Sequence, residues 1–224
     1  MRQRVIEQLR RLRDVLPGGQ GRVSFSQEGE DLILARMFEE RPTGFYVDVG
    51  AHHPLRFSNT QLLYRRGWRG VNIDASPGSM AAFREHRPRD LNLELGITPV
   101  AGTHEFYVFD EPALNTFDSA RVKELAATPY KLVRTVPVKC MPLSEVLAEH
   151  HIDQIDLLTI DAEGYDFAIL QTVAWEIARP RVVVTEQFSR DLEELVTTPL
   201  HGYMRERGYR LAAKTFNSLF YAAT

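Results

Sequence analysis

Apolar residues along this chain follow two rhythms. At the start, Val5, Leu9, Leu12 and Leu16 recur at helical spacing among Arg2, Arg4, Arg10, Arg11 and Arg13, which predicts a basic amphipathic helix. Pro17, Gly18, Gly19 and Gly21 end it as a linker, so that residues 1–21 stand apart from the rest. Such a helix docks on its own domain, serves as a homodimer contact, or makes a peripheral contact with an anionic membrane surface. Beyond the linker, short apolar runs alternate with helical stretches. Residues 45–49, 70–74, 91–95, 155–160 and 181–185 read as strands. Residues 155–160 and 181–185 suit strands buried on both faces, the former as a nearly unbroken apolar run. Helices are predicted over 60–65, from Ser76 as cap and Pro77 at the first position up to Pro88, and over 165–175. A further helix starts at Thr198 and Pro199 and is stopped by Gly208. Residues 209–215 and 218–222, linked through Phe216-Asn217, read as a hairpin.

This alternation predicts an α/β fold: a mostly parallel sheet with helices on both faces and a C-terminal antiparallel hairpin at one edge. Residues 22–224 are expected to form a single domain. The section 102–141 breaks the rhythm, with strand patterns at 105–109 and 135–140 and a helical one at 118–127 between them. It reads as an insertion that shapes an acceptor pocket.

In an open parallel sheet, ligands bind beyond the carboxyl ends of the strands. Those tips carry Asp48 and Gly50, then Asp74, then Gly96, then Asp161 and Glu163, then Glu186. An acidic side chain at the second tip grips ribose hydroxyls, because two carboxylate oxygens can accept from both hydroxyls of a cis-diol. A dinucleotide would also need glycines for its pyrophosphate. Here Gly50 is followed by Ala51, His52, His53 and Pro54, and the glycine fingerprint is missing. S-adenosylmethionine carries no phosphate. Its ammonium suits Asp48, and Gly50 allows close passage of its methionyl-ribose portion.

Composition narrows the field. The formal net charge of −3 lacks the basic excess of a nucleic-acid enzyme, so a small-molecule or sugar acceptor is expected and no nucleic acid. Cys140 is the single cysteine, which excludes a disulfide within one chain and fits a reducing compartment. No apolar run is long enough for a transmembrane segment, and the N-terminus lacks a signal-peptide core. A cytoplasmic location is the expectation.

The sequence resembles the FkbM-type methyltransferases, a bacterial class I group with a Rossmann-like fold. The resemblance rests on residues 26–31 (SQEGED), 46–51 (YVDVGA), 58–60 (SNT), 67–74 (GWRGVNID), 156–164 (DLLTIDAEG) and 183–186 (VVTE). It departs at Thr159, where many members have lysine, and in the loop His52-His53-Pro54. It implies S-adenosylmethionine as cofactor and O-methylation of a sugar, glycan or small secondary-metabolite hydroxyl. It also implies that Asp48, Gly50 and Asp74 line the cofactor site, with Ala51, Asn59, Ala75 and Gly96 beside them. Ser26 and Gln27 would close over the methionyl end. Alternatively they belong to a helix start, since Ser24 and Gln27 have capping-box spacing.

An alcohol acceptor must lose a proton, which calls for a general base. Asp161 is the first candidate for contact with the reacting centre, with Glu163 near a helix start and His53 as further candidates. Asp161, Glu163, Glu186 and a histidine could also share a divalent metal, which the sequence leaves open. Two other functions compete: a nicotinamide-dependent oxidoreductase, and a non-catalytic scaffold that kept the fold.

Overall fold

The computed structural model describes residues 22–187 and 191–224. The helix expected before the linker lies outside them. The described chain opens with α1 (Glu30–Met37), followed by β1 (Phe45–Val49), α2 (Gln61–Arg65), β2 (Arg69–Asp74), α3 (Met80–His86) and β3 (Leu91–Glu94). Next come β4 (Gly96–Ile97), β5 (Gly102–Phe109), a 3-10 turn (Pro112–Leu114), α4 (Ser119–Leu125) and β6 (Leu132–Met141). Then follow α5 (Leu143–Glu149), β7 (Leu157–Ile160), α6 (Asp166–Leu170) and β8 (Val182–Glu186). The chain ends with α7 (Leu192–Leu195), α8 (Pro199–Glu206), β9 (Tyr209–Lys214) and β10 (Ser218–Ala223).

Seven strands form one sheet in the order β3-β2-β1-β7-β8-β10-β9. β3, β2, β1, β7 and β8 run parallel, while β10 is antiparallel to both β8 and β9. This is the Rossmann-like class I arrangement with its antiparallel C-terminal strands. Side chains alternate across the pleat. Val47, Leu158 and Val183 join one core with Leu143, Ile169 and Met204 of α5, α6 and α8. Their neighbours Tyr46, Leu157, Val182 and Val184 join the opposite core with Leu34 of α1 and Leu63 of α2. Both faces are covered, which is why the inner strands are mostly apolar on both sides.

The section 102–141 supplies two strands of a second, three-stranded sheet, β4-β6-β5. Gly96 and Ile97 leave the main sheet and pair in parallel with Cys140 and Met141.

Several boundaries differ from expectation. Ser76 does not cap α3: its N–H donates to Asp74 Oδ1 (2.8 Å), Gly78 sits at φ +88°, and the helix begins only at Met80. α6 ends at Leu170 rather than near Trp175. There the Thr172 hydroxyl donates to the Ile169 carbonyl (2.7 Å) and accepts the Leu143 N–H (3.1 Å), drawing the chain out of the helix. The Ser24/Gln27 capping box is not formed. Instead the buried Asp31 accepts from the hydroxyls of Ser24 and Ser26 and from the Phe25 N–H, and α1 starts after Gly29.

Candidate active site

A cavity lies at the carboxyl ends of β1, β2, β7 and β8. Its lining includes Gly50, His52, Asp74, Ala75, Asp161, Glu163 and Glu186. The parallel pairing of β1 with β7 beneath it explains Gly50. A Cβ there would stand 1.7 Å from the Asp161 carbonyl oxygen, and the residue has φ +75°. Only glycine avoids both the clash and the left-handed penalty.

Asp74 is buried and held by two backbone donors: the His52 N–H to Oδ2 (2.9 Å) and the Ser76 N–H to Oδ1 (2.8 Å). Each oxygen keeps a lone pair for a ligand. Ile73, Leu95, Ile97, Phe106 and Phe117 supply apolar walls near it. Ala75 lines the same space, and so does Gln27 at the other end beside Asn217. Gln27 is positioned by its neighbours. Glu28 accepts the Asn217 N–H (2.9 Å), and Glu30 accepts the hydroxyls of Thr215 and Ser218 (both 3.3 Å).

Other expected cofactor contacts are used differently. Asp48 does not line the cavity; it is buried and accepts the Thr60 hydroxyl at 2.6 Å. Burial pushes its carboxyl up to about 6, against the pull of the Thr60 hydrogen bond and Arg87. Ala51 packs on Met80 and Phe83, and the Asn59 amide donates to the Thr159 hydroxyl (3.1 Å). Gly96 faces Cys140 and Phe117, each 2.5 Å from where its Cβ would be, so its smallness serves packing. Ser26 is spent on Asp31. His53 is also outside the lining. Its Nδ1 accepts the N–H groups of Leu55 and Arg56 (both 3.1 Å), and so it shapes its own loop. Its neighbour His52 takes the place in the wall, with φ +53° and its ring stacked on Phe57.

A residue absent from the sequence reading organises that loop. Arg87, completely buried, donates to the Pro54 carbonyl (2.9 Å), Ser58 Oγ (2.7 Å), Thr60 Oγ1 (2.8 Å) and Tyr46 OH (3.2 Å). It lies just past the end of α3, between Arg84 and Arg89, and nothing in that basic stretch marks it for burial. The insertion contributes Phe106, Asn115, Thr116, Phe117 and Arg121. It was expected to shape a pocket, but alternation alone could not say which of its residues turn inward.

On the β7–β8 side, carboxylate oxygens of Asp161, Glu163 and Glu186 lie within 4.8 Å of one another. Asp161 keeps accessible surface, and it is part of the cavity wall. The loss of bulk water and the charges of Asp166, Glu163, Asp48 and Glu30 raise its carboxyl well above the usual range. Burial and the charges of Asp161, Glu163 and Asp166 raise Glu186 likewise, and its Oε2 is buried without a donor among the described residues. Glu163, at φ +46°, is pushed up to about 7 by burial, although Arg121 stands 3.5 Å away and favours its ionised form. Three carboxylates this close can share protons, or a divalent cation through oxygen ligands.

Residues 48–211 match the family model described as the methyltransferase FkbM domain. The chain belongs to the FkbM methyltransferase family. It is therefore an S-adenosylmethionine-dependent methyltransferase, which answers the choice between a methyl donor and a nicotinamide. The cavity of this FkbM-family protein fits that cofactor. Asp74, Asp161, Glu163 and Glu186 face it against a single arginine, Arg121, among the described residues. That balance suits a cationic, phosphate-free ligand.

Among solved structures, an O-methyltransferase from Bacillus cereus in complex with SAH is similar at 13% identity, over 96% of this chain and 88% of that one, with a TM-score of 0.45. A TehB-like SAM-dependent methyltransferase from Corynebacterium glutamicum is similar at 11% identity over 100% of both chains, with a TM-score of 0.43. A precorrin-6y C5,15-methyltransferase from Geobacter metallireducens is similar at 11% identity over 87% of both, also at 0.43. No curated protein matches the chain significantly. No helix among the described residues is long and apolar enough to cross a membrane.

Proposed function

We propose that this enzyme methylates a hydroxyl oxygen of a small polar acceptor, a sugar or a small secondary metabolite, with Glu163 as general base. The observation that carries this reading is a cavity-lining carboxyl pushed up to about 7. A base poised near the working pH is deprotonated often enough to act and basic enough to accept. S-adenosylmethionine, when bound, supplies a methyl group on a positively charged sulfur. Asp74 would hold its ribose hydroxyls, Leu95 and Ile97 would flank its adenine, and Gly50 would let it pass close to the backbone. Much of the remaining work is orientation. Asp161 and Glu186, whose carboxyls are both raised by burial and by neighbouring carboxylate charge, take up a proton readily and can donate to or accept from the acceptor. Residues 22–224 act as one domain, and the insertion selects the acceptor through Phe106, Phe117 and the turn Pro112–Leu114. The single buried Cys140 suits work in the cytoplasm.

A second reading has Asp161, Glu163 and Glu186 share a divalent cation, which their spacing favours. Arg121 already brings positive charge to Glu163 and favours the first. The test is methyl transfer to a panel of sugars and hydroxylated metabolites by wild type and Glu163→Gln, with and without chelator. Turnover abolished in the variant and indifferent to chelator supports the base. Turnover lost to chelator and restored by magnesium supports the cation. A fully active variant removes Glu163 from the chemistry.

A further inference from the structure

We propose that a groove at the amino ends of the strands is a second ligand site, taking a soluble phosphate-bearing metabolite apart from the methyl-transfer cavity. The groove reaches the starts of β1 and β2 at Phe45 and Arg69, and the residues just before β7 and β8, Asp156 and Arg181. It lies at the end of the sheet opposite the acidic cavity. Its volume, about 980 Å³, is that of a small-molecule site.

Five arginines converge on it: Arg41, Arg69, Arg89, Arg179 and Arg181. The chain as a whole carries a net charge of −3, so acids to neutralise them are not scarce. Yet, among the described residues, only Asp153 and Asp156 enter the groove. Buried Asp156 is shared by Arg41 (2.9 Å) and Arg181 (3.2 Å), and its other oxygen accepts the Phe45 N–H (2.9 Å). Gly44 makes that approach possible, since a Cβ there would meet Asp156 Oδ2 at 2.7 Å. One carboxylate therefore faces two guanidiniums.

The other three arginines are steadied or left open without being neutralised. Arg89 donates to the Tyr64 carbonyl (2.7 Å) and lies 4.2 Å over the Tyr64 ring. Arg179 donates to the Gly208 carbonyl (3.2 Å). Arg69 forms no ion pair among the described residues. Each guanidinium has five N–H donors, so most remain available. A phosphate, with several acceptor oxygens and up to two charges, can take forks from more than one guanidinium at once. The concave shape favours a discrete anion over a flat bilayer.

The probe is inorganic pyrophosphate, titrated by calorimetry into the full chain at low salt, with S-adenosylhomocysteine titrated in parallel. We expect saturable pyrophosphate binding that the double variant Arg69→Gln/Arg89→Gln weakens by about tenfold or more. Its affinity for S-adenosylhomocysteine should stay within about twofold, which also reports that the variant is folded. Arg179→Gln, on a different segment, should show the same selective loss. Absence of saturable binding overturns the proposal, as does binding indifferent to either variant or displaced by S-adenosylhomocysteine. Binding to phosphatidylcholine/phosphatidylglycerol vesicles without binding of pyrophosphate also overturns it, reassigning the groove to a lipid surface.

Discussion

The two sides of the cavity treat carboxylates in opposite ways. On the β1–β2 side, Asp74 has a backbone donor on each oxygen, and Asp48 has the Thr60 hydroxyl with Arg87 behind it. On the β7–β8 side, Asp161, Glu163 and Glu186 crowd together around Arg121, and Glu186 Oε2 has no donor among the described residues. The first side is at rest when empty and can hold a ligand in a fixed frame. The second side is unfavourable until it takes up a proton or meets a partner. Perturbed groups of that kind gather where chemistry is done.

The strongest way to break this contrast is to remove charge from the crowded side. Glu163→Gln should lower kcat by about 10²- to 10⁴-fold, the usual worth of a general base. Affinity for S-adenosylhomocysteine, measured by calorimetry, should hardly change. In the wild type, kcat should rise with pH through about 7, as the Glu163 carboxyl loses its proton. The variant should lack that limb. A variant that keeps the limb and most of the rate would show the crowding to be structural.

On the settled side, the expected loss is in binding. Asp74→Ala removes a charged acceptor aimed at hydroxyls, and should weaken S-adenosylhomocysteine by about 10- to 100-fold. Asp48→Asn should cost cofactor affinity less, because Asp48 is outside the cavity. Equal losses in the two variants would erase the distinction drawn between the two strand tips.

That distinction was beyond the reach of sequence. Both acids follow an apolar run, and alternation puts both near a strand tip. What separates them is Thr60 and Arg87, brought in from α2 and the end of α3 by packing. The mostly parallel sheet, the apolar inner strands and the terminal hairpin were legible from the alternation of strand and helix patterns, whereas the strand order β3-β2-β1-β7-β8-β10-β9 came only from the structure. Asp74, Asp161, Glu163, Gly50 and Gln27 were legible because strand tips and the resemblance pointed to them. His53 was the histidine named from the sequence, but His52 is the one that lines the cavity, since a one-residue difference in a loop with positive φ decides which ring faces inward. The inward residues of the insertion depend on a second sheet whose pairing leaves no local trace.

A smaller effect should appear in stability. The Glu163 carboxyl is raised above its unfolded value of about 4.3. Its contribution is therefore fully present below that value and is lost as pH rises through about 7. Glutamine mimics the protonated form. Glu163→Gln should melt with wild type at about pH 4, and a few degrees higher at about pH 8. The same substitution would then disable catalysis and stabilise the fold, a trade expected of a strained functional group. A melting difference independent of pH would mean that the crowding carries no electrostatic cost.

The smallest effect concerns the mouth, where the two sides meet. Arg56, in the loop after β1, forms a forked ion pair with Glu111 at the edge of the insertion (3.2 and 3.3 Å). The side chains are 47% and 32% exposed, so solvent and salt screen the pair and it contributes about 0–1 kcal/mol. It nevertheless ties His52 and Phe57 to the turn Pro112–Leu114, all of which line the cavity. Opening it should speed ligand escape more than it lowers stability. Arg56→Glu or Glu111→Arg alone should raise the dissociation rate of S-adenosylhomocysteine by about fivefold at most, and the double charge swap should restore it. High salt should reproduce the single variants in the wild type. If the swap behaves like the sum of its parts, the mouth is held by Phe57 packing, and the pair is only a neighbour to it.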